Sequence, residues 1–172
     1  MKRLIPVISA VALVACQATP DAPARATAAL QPTKGNKTFG EATFEAVAGN
    51  KVRVIVFAQG LRPNQEHGFH IHEAGDCSSG DGMSAKGHFN PHNKPHGDPK
   101  SPERHAGDLP SLRAGKDGRA KLDITVDQVT IGPGPASIVG RGLIIHADPD
   151  DYKTQPTGNA GARLACGVIK AG

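Results

Sequence analysis

Residues 121–127 read Lys-Leu-Asp-Ile-Thr-Val-Asp, and within them Leu122, Ile124 and Val126 alternate strictly with charged or polar neighbours. A period of two belongs to a β-strand with one buried face, because successive side chains leave the pleated backbone on opposite sides. Just upstream, Lys116-Asp117-Gly118 carries the turn chemistry of a hairpin. Further toward the N-terminus, Val52–Gln59 repeats the alternation and Thr38–Val47 follows it more loosely, with Gly49-Asn50 between them as a second hairpin turn. Leu143–His146 and Ala165–Ile169 are short apolar runs suited to buried strands, and a first strand is predicted near Thr27–Gln31. Gly132-Pro133-Gly134-Pro135 marks a rigid connection that no helix crosses, and no stretch of ten or more residues has helical period. The pattern predicts an all-β sandwich or barrel with short hairpins on one side and two long loops, about 73–108 and 147–162, on the other.

The first 15 of the 172 residues stand apart from that fold. Lys2 and Arg3 precede an apolar run from Leu4 to Ala15, the layout of a signal peptide, and the run is shorter than the roughly 20 residues a membrane-spanning helix needs. It ends Leu13-Val14-Ala15-Cys16, which resembles the lipobox of bacterial lipoproteins and makes Cys16 the candidate lipidation site; an ordinary secretory cut near Ala15 or Ala18 is the alternative. Residues 16–26 then read as a lipidated cysteine and flexible tether, and residues 27–172 as one domain. Covalent lipid, rather than the fold, would attach the exported chain to a membrane.

Loss of the signal removes two basic residues and no acidic one, so the formal charge falls from +4 to +2. With five Phe, one Tyr and no Trp besides, the chain gives no support to a nucleic-acid partner. Once Cys16 is set aside, Cys77 and Cys166 remain. In an oxidising compartment the pair reads as a disulfide, with a thiolate metal ligand as the competing reading.

Seven of the eight histidines fall within residues 67–108, and the eighth, His146, follows a separate apolar run. His70 and His72 form an H-x-H pair, which on a strand presents two imidazoles on one face to a single ion. His88 and His146 offer third and fourth donors from distant segments. His96, His105 and Asp108 are spaced as no regular element could use, so the loop must fold around something for them to converge. Zinc suits that task, since imidazoles and a carboxylate close a tetrahedral site and the ion orders a loop with little core of its own. The plain alternative is a flexible polar loop that happens to carry histidines. Taken together, the donors supply two metal sites rather than one.

Six motifs now stand in order: HGFHIHE (67–73), GDC (75–77), GHFNP (87–91), KPHGDPKSPERHAGDL (94–109), LIIHAD (143–148) and GNAGARLACGVI (158–169). Together they resemble the Cu,Zn superoxide dismutase family over roughly residues 27–172. The resemblance implies a Greek-key β-sandwich or barrel of about eight antiparallel strands with two long functional loops. It implies copper at His70, His72, His88 and His146, and zinc at His88, His96, His105 and Asp108, with His88 shared as a bridging imidazolate. The implied activity converts two superoxide and two protons into dioxygen and hydrogen peroxide, with copper alternating between Cu(II) and Cu(I) and His88 donating a proton. By the same resemblance Arg163 would dock superoxide, Lys153 would add steering, and Asp150 would link a copper histidine to a zinc histidine.

Cys77 lies 11 residues before His88, a spacing like that of the bacterial exported forms, which supports a periplasmic location; with the lipobox, the expectation is a lipid-anchored enzyme that protects the cell envelope, and the sequence leaves monomer and homodimer open. His67 reads as a structural hydrogen-bonding residue and His92 as solvent-facing, while Gly87 and Gly142 are candidates for tight backbone turns.

Two other functions compete. A copper-binding or copper-delivering module on the same fold would hold metal without turnover, and such modules tend to lack copper ligands or the arginine. A zinc hydrolase of the metallo-lactamase kind would continue H-x-H-x-D-H, whereas positions 74 and 75 are Ala and Gly.

Overall fold

The computed structural model describes residues 24–172, so the signal segment, Cys16 and most of the expected tether lie outside the described residues. Among the described residues the strands are β1 (Arg25–Pro32), β2 (Phe39–Val47), β3 (Lys51–Gln59), β4 (Glu66–His72), β5 (Asp108–Arg113), β6 (Ala120–Val126), β7 (Gly142–His146), β8 (Arg163–Val168) and β9 (Lys170–Ala171). The one helical element among them is a single 3-10 turn at Met83–Ala85. Neighbours pair in the order β5-β4-β7-β8-β1-β2-β3-β6, with β9 against β1. Every ladder is antiparallel, and the path bends into a nearly closed barrel whose seam lies between β5 and β6.

The alternating segment that announced the fold is β6. Its Leu122, Ile124 and Val126 pack against the core from the rim, opposite Val56, Val54 and Val52 of β3. The core proper is filled by side chains such as Phe44, Val54, Phe69, Ile71, Leu143 and Ile145, all at most 1 % exposed. The turn expected at Gly49-Asn50 joins β2 to β3, with φ of +79° and +54°, values natural to glycine and tolerated by asparagine.

Two strands differ from expectation at their edges or in their existence. β1 starts at Arg25, inside the segment read as tether, because Ala26, Ala28 and Leu30 face the core although their small side chains give a weak apolar signal. β5 occupies the end of the predicted 73–108 loop and the residues after it; Pro110 and the three-residue spacing of Leu109 and Leu112 conceal its period. The strand remains legitimate because β5 is an edge strand, where a missing N–H costs little.

Candidate metal centre

β4 is buried on both faces, and its alternation is of imidazole against hydrocarbon: Phe69 and Ile71 point to the core while His70 and His72 point the other way. A register shift between His67 and Phe69 sits just before the pair, and another at Ile145/His146 sits where β7 delivers His146. Such bulges re-aim side chains at the rim of a barrel. His88 arrives on a loop that is stitched to β4 by an isolated bridge to His72 and by the Phe89 N–H donating to Ile71 O at 2.8 Å. Gly107 N–H then donates to Phe89 O at 2.9 Å, which carries the chain to His105 and Asp108. Gly107 has no room for a side chain, since a Cβ there would run into the Ile71 carbonyl.

The result is two four-residue groups that share one histidine. One ligand atom from each of His70, His72, His88 and His146 lies within 4.8 Å of the others, and the same holds for His88, His96, His105 and Asp108; all seven residues are buried. In the second group Asp108 Oδ1 stands 2.8, 3.0 and 3.4 Å from Nδ1 of His88, His96 and His105. Tetrahedral zinc with bonds near 2.0–2.1 Å requires donor–donor edges of about 3.3 Å, so the group has the size of one ion. In the first group Nε2 of His72 and Nε2 of His146 face each other at 3.4 Å, and the His70 and His88 rings stack with centroids 4.0 Å apart.

Hydrogen bonds fix which nitrogen each ring offers. His72 Nδ1–H donates to Lys86 O at 2.9 Å and His146 Nδ1–H to Gly161 O at 3.2 Å, leaving both Nε2 atoms free as donors to an ion. His70 Nε2–H donates to Asp150 Oδ2 at 2.6 Å, leaving Nδ1 free. Buried nitrogens without a hydrogen-bond partner include His70 Nδ1, His88 Nε2, His96 Nδ1 and His105 Nδ1. Buried polar atoms are almost always satisfied, so four orphans converging on two points are what an ion would complete. The donor sets of imidazole alone and of imidazole plus carboxylate fit copper and zinc respectively.

Electrostatics agree for His72, His88, His146 and Asp108. Burial lowers the pKa of His72 and His146 well below the ordinary value, with neighbouring histidines and Arg163 adding to the effect, so both are neutral imidazoles ready to ligate. Burial lowers His88 to about 4 against the opposing pull of Asp108. Burial also disfavours charged His96, but the adjacent carboxylates of Asp108 and Asp150 outweigh it and raise its pKa to about 9. Burial would raise the Asp108 carboxyl, yet the imidazoles of His105, His88 and His96 crowded around it hold it far below the carboxylate range.

Asp150 joins the two groups. Its Oδ2 takes the bond from His70, and its Oδ1 accepts from His96 Nε2–H at 2.9 Å and from Tyr152 N–H at 2.7 Å. Gly158, in the left-handed region at φ +66°, packs so close to this junction that a Cβ would collide with Asp150 Oδ1 and His96 Nε2. Arg163 opens β8 beside the first group. Its Nη1 and Nη2 donate to Gly82 O and Lys86 O, each at 2.6 Å, so Lys86 O receives both His72 and Arg163. The carbonyls belong to a loop that the Cys77–Cys166 disulfide fastens to β8.

His67 is buried and donates through Nδ1–H to His146 O at 2.8 Å, a structural role, and His92 is exposed. The Lys153 ammonium is exposed and makes no ion pair among the described residues. Sequence reasoning did not find Gly158, nor Gln155, whose amide bonds to the His96 backbone. A glycine in a turn-rich loop is ambiguous until the chain path is known, and an isolated Gln carries no signal.

Residues 38–169 match the family described as Copper/zinc superoxide dismutase (SODC). The chain is 42 % identical over 154 residues to Superoxide dismutase [Cu-Zn] of Paramecium bursaria Chlorella virus 1, covering 86 % of this chain and 78 % of that protein. It is 45 % identical over 125 residues to Superoxide dismutase [Cu-Zn] 2 of Aquifex aeolicus, covering 69 % and 72 % respectively. Among solved structures it resembles the clock protein EA4, with a TM-score of 0.79 and 40 % identity, over 90 % of this chain and 98 % of that one.

Proposed function

The chain belongs to the copper/zinc superoxide dismutase family, and from that premise we propose a division of labour among its own residues. His70, His72 and His146 would hold copper, His96, His105 and Asp108 would hold zinc, and His88 would serve both. The observation that carries this reading is the pose of one ring. His88 turns Nδ1 toward Asp108 at 2.8 Å and leaves Nε2 buried and unpartnered on the side of His70, His72 and His146. When bound, copper supplies a one-electron couple between Cu(II) and Cu(I), and zinc supplies fixed positive charge with no redox change.

The rest belongs to the protein. Arg163, half-buried and held by two carbonyls, offers a pre-aimed guanidinium to an anion of superoxide's size. His88 Nε2 holds a proton in one half of the cycle and passes it to the oxygen being reduced in the other. The balance is two superoxide and two protons consumed, one dioxygen and one hydrogen peroxide released. Asp150, through bonds to His70 and His96, keeps copper-side and zinc-side rings in register. Export is part of the same reading, supported by the disulfide, the N-terminal pattern and a relative named Extracellular superoxide dismutase [Cu-Zn] from Brugia pahangi. Lipid attachment at Cys16 and protection of the cell envelope would follow from it.

The deciding experiment is superoxide consumption by the purified protein, with copper and zinc measured on the same sample and a copper-depleted control. Turnover that tracks one copper per chain is the expected result; full loading of both metals with negligible turnover would turn the reading into a copper carrier.

Two substitutions separate the roles. His146→Ala is expected to keep zinc and to lower copper affinity by more than about 100-fold, since even the hydrogen-bond partners of ligands are worth 10–100-fold. Elemental analysis after dialysis checks this, and unchanged copper would remove His146 from the site. Arg163→Ala is expected to keep both metals and to slow the reaction about 10-fold, with a weaker dependence on ionic strength. Equal rates for parent and variant at low and at high salt would rule out anion docking by Arg163.

A further inference from the structure

The loop at 147–162 grips the zinc-side group at a second point, distinct from Asp150. Gln155 Oε1 accepts the His96 N–H at 2.9 Å, and Gln155 Nε2–H donates to the His96 carbonyl, also at 2.9 Å. We propose that Gln155 is a positioning residue for His96: a two-pronged amide clamp on its main-chain N–H and C=O that keeps Nδ1 aimed at zinc and slows the ion's escape. The inference rests on the zinc assignment above.

Three observations converge on it. First, His96 has no other main-chain anchor, because neither its N–H nor its C=O meets a backbone partner among the described residues. Its neighbour Pro95 has no N–H to offer, and Gly97 N–H is committed to Asp108 Oδ2 at 3.1 Å. Second, Gln155 is exposed while His96 is 4 % exposed, so Gln155 fills no core and its ordered contacts are these bonds and a longer one to Lys153 O at 3.3 Å. A primary amide carries the acceptor and the donor side by side, the pair needed to grasp the N–H and the C=O of one residue. Third, the clamp is itself braced. Asp151 N–H donates to Gly158 O at 2.9 Å and Gly158 N–H to Thr154 O at 2.7 Å, closing the loop around Gln155. Thr154 Oγ1–H donates to Asp151 Oδ2 at 2.6 Å within the same turn.

His96 is thereby held at its main chain by Gln155 and at Nε2 by Asp150, both from one loop, while His96 itself comes with His88 and His105 from the connection between β4 and β5. Fixing the backbone and the far nitrogen leaves the imidazole little freedom except to present Nδ1 to the ion. Slippage of this histidine would open one corner of a four-donor site and let water in.

The experiment uses the full metal-loaded protein and compares Gln155→Met and Gln155→Glu with the parent. Met preserves length and approximate volume but makes neither bond; ionised Glu keeps the acceptor and loses the donor. Two quantities are read: the rate of zinc transfer to a chelator, and the visible spectrum with Co(II) in place of zinc, which reports ligand geometry without reference to turnover. The Met variant is expected to release zinc about 10-fold faster, the lower end of the effect of removing a ligand's supporting partner, with shifted Co(II) bands and with Glu intermediate. Zinc release at the parent rate by the Met variant, with an unaltered Co(II) spectrum, would overturn the clamp. A parent protein that takes up no zinc would overturn the assignment beneath it instead.

Discussion

His88→Ala is expected to cut superoxide turnover by about 100-fold or more and to lower the loading of both metals, because this side chain alone belongs to both donor groups. Its ring is locked from several sides. It stacks on His70 with centroids 4.0 Å apart, places Nδ1 2.8 Å from Asp108, and rides on a loop bridged to His72. Truncation leaves His70, His72 and His146 as a three-donor set and His96, His105 and Asp108 as another. Each is still able to bind an ion, but neither is closed. Rate should therefore fall further than copper content. The proton proposed to sit at Nε2 would be lost as well, and positioned proton transfer contributes about 10²- to 10⁴-fold in enzymes generally. Stopped-flow decay of superoxide, normalised to copper measured on the same sample, separates the two losses. A variant whose rate per copper stays near the parent's would show that no proton passes through His88.

That expectation was accessible from the chain to an unequal degree. The convergence of seven residues into two buried groups was legible because metal chemistry restricts candidate donors to a few residue types, and histidine is rare enough that crowding stands out. Strand β6 was legible because one of its faces meets water, so polarity records its geometry. β4 writes the same period in a different alphabet, with imidazole where a surface strand has charge, since its polar face meets the metal groups. β5 was hidden by Pro110 and by burial on both sides of Asp108-Leu109.

Supporting residues were the hardest to find, because their roles depend on the path of loops. Gly158 and Gln155 act on His96 from about 60 residues away, a proximity that no local pattern encodes. The glycines singled out for tight turns show the converse. Gly87 has open space where a Cβ would go and Gly142 has an ordinary φ. What Gly142 permits is close approach, since a Cβ there would lie 2.6 Å from Ala74 O and 3.1 Å from Ala85 Cβ. Packing between segments, rather than turning within one, sets the need for glycine.

Replacing Cys77 and Cys166 together by serine is expected to remove up to roughly 4–5 kcal/mol of stability, the chain-entropy value for a closed loop of this length. The two residues are 89 apart in sequence, so the bond forbids a large part of the unfolded ensemble. In the folded state it has a second effect. Cys77, Ala85, Ile144 and Cys166 form a small apolar cluster separate from the main core, and the loop it anchors is otherwise held by bonds such as Ser84 Oγ–H to Asp76 O at 2.8 Å. From that loop come the Gly82 and Lys86 carbonyls that aim Arg163, and Lys86 O also holds the tautomer of His72. Loosening it should therefore lower kcat/KM per bound copper as well as the denaturation midpoint. Guanidinium unfolding of the metal-free proteins isolates the first effect, because no ion then ties the loops together. Superoxide decay with the metal-loaded proteins isolates the second. A double-serine protein with the parent's stability would mean that the loop closes without the bond, and one with the parent's rate per copper would mean that Arg163 keeps its aim without the bond.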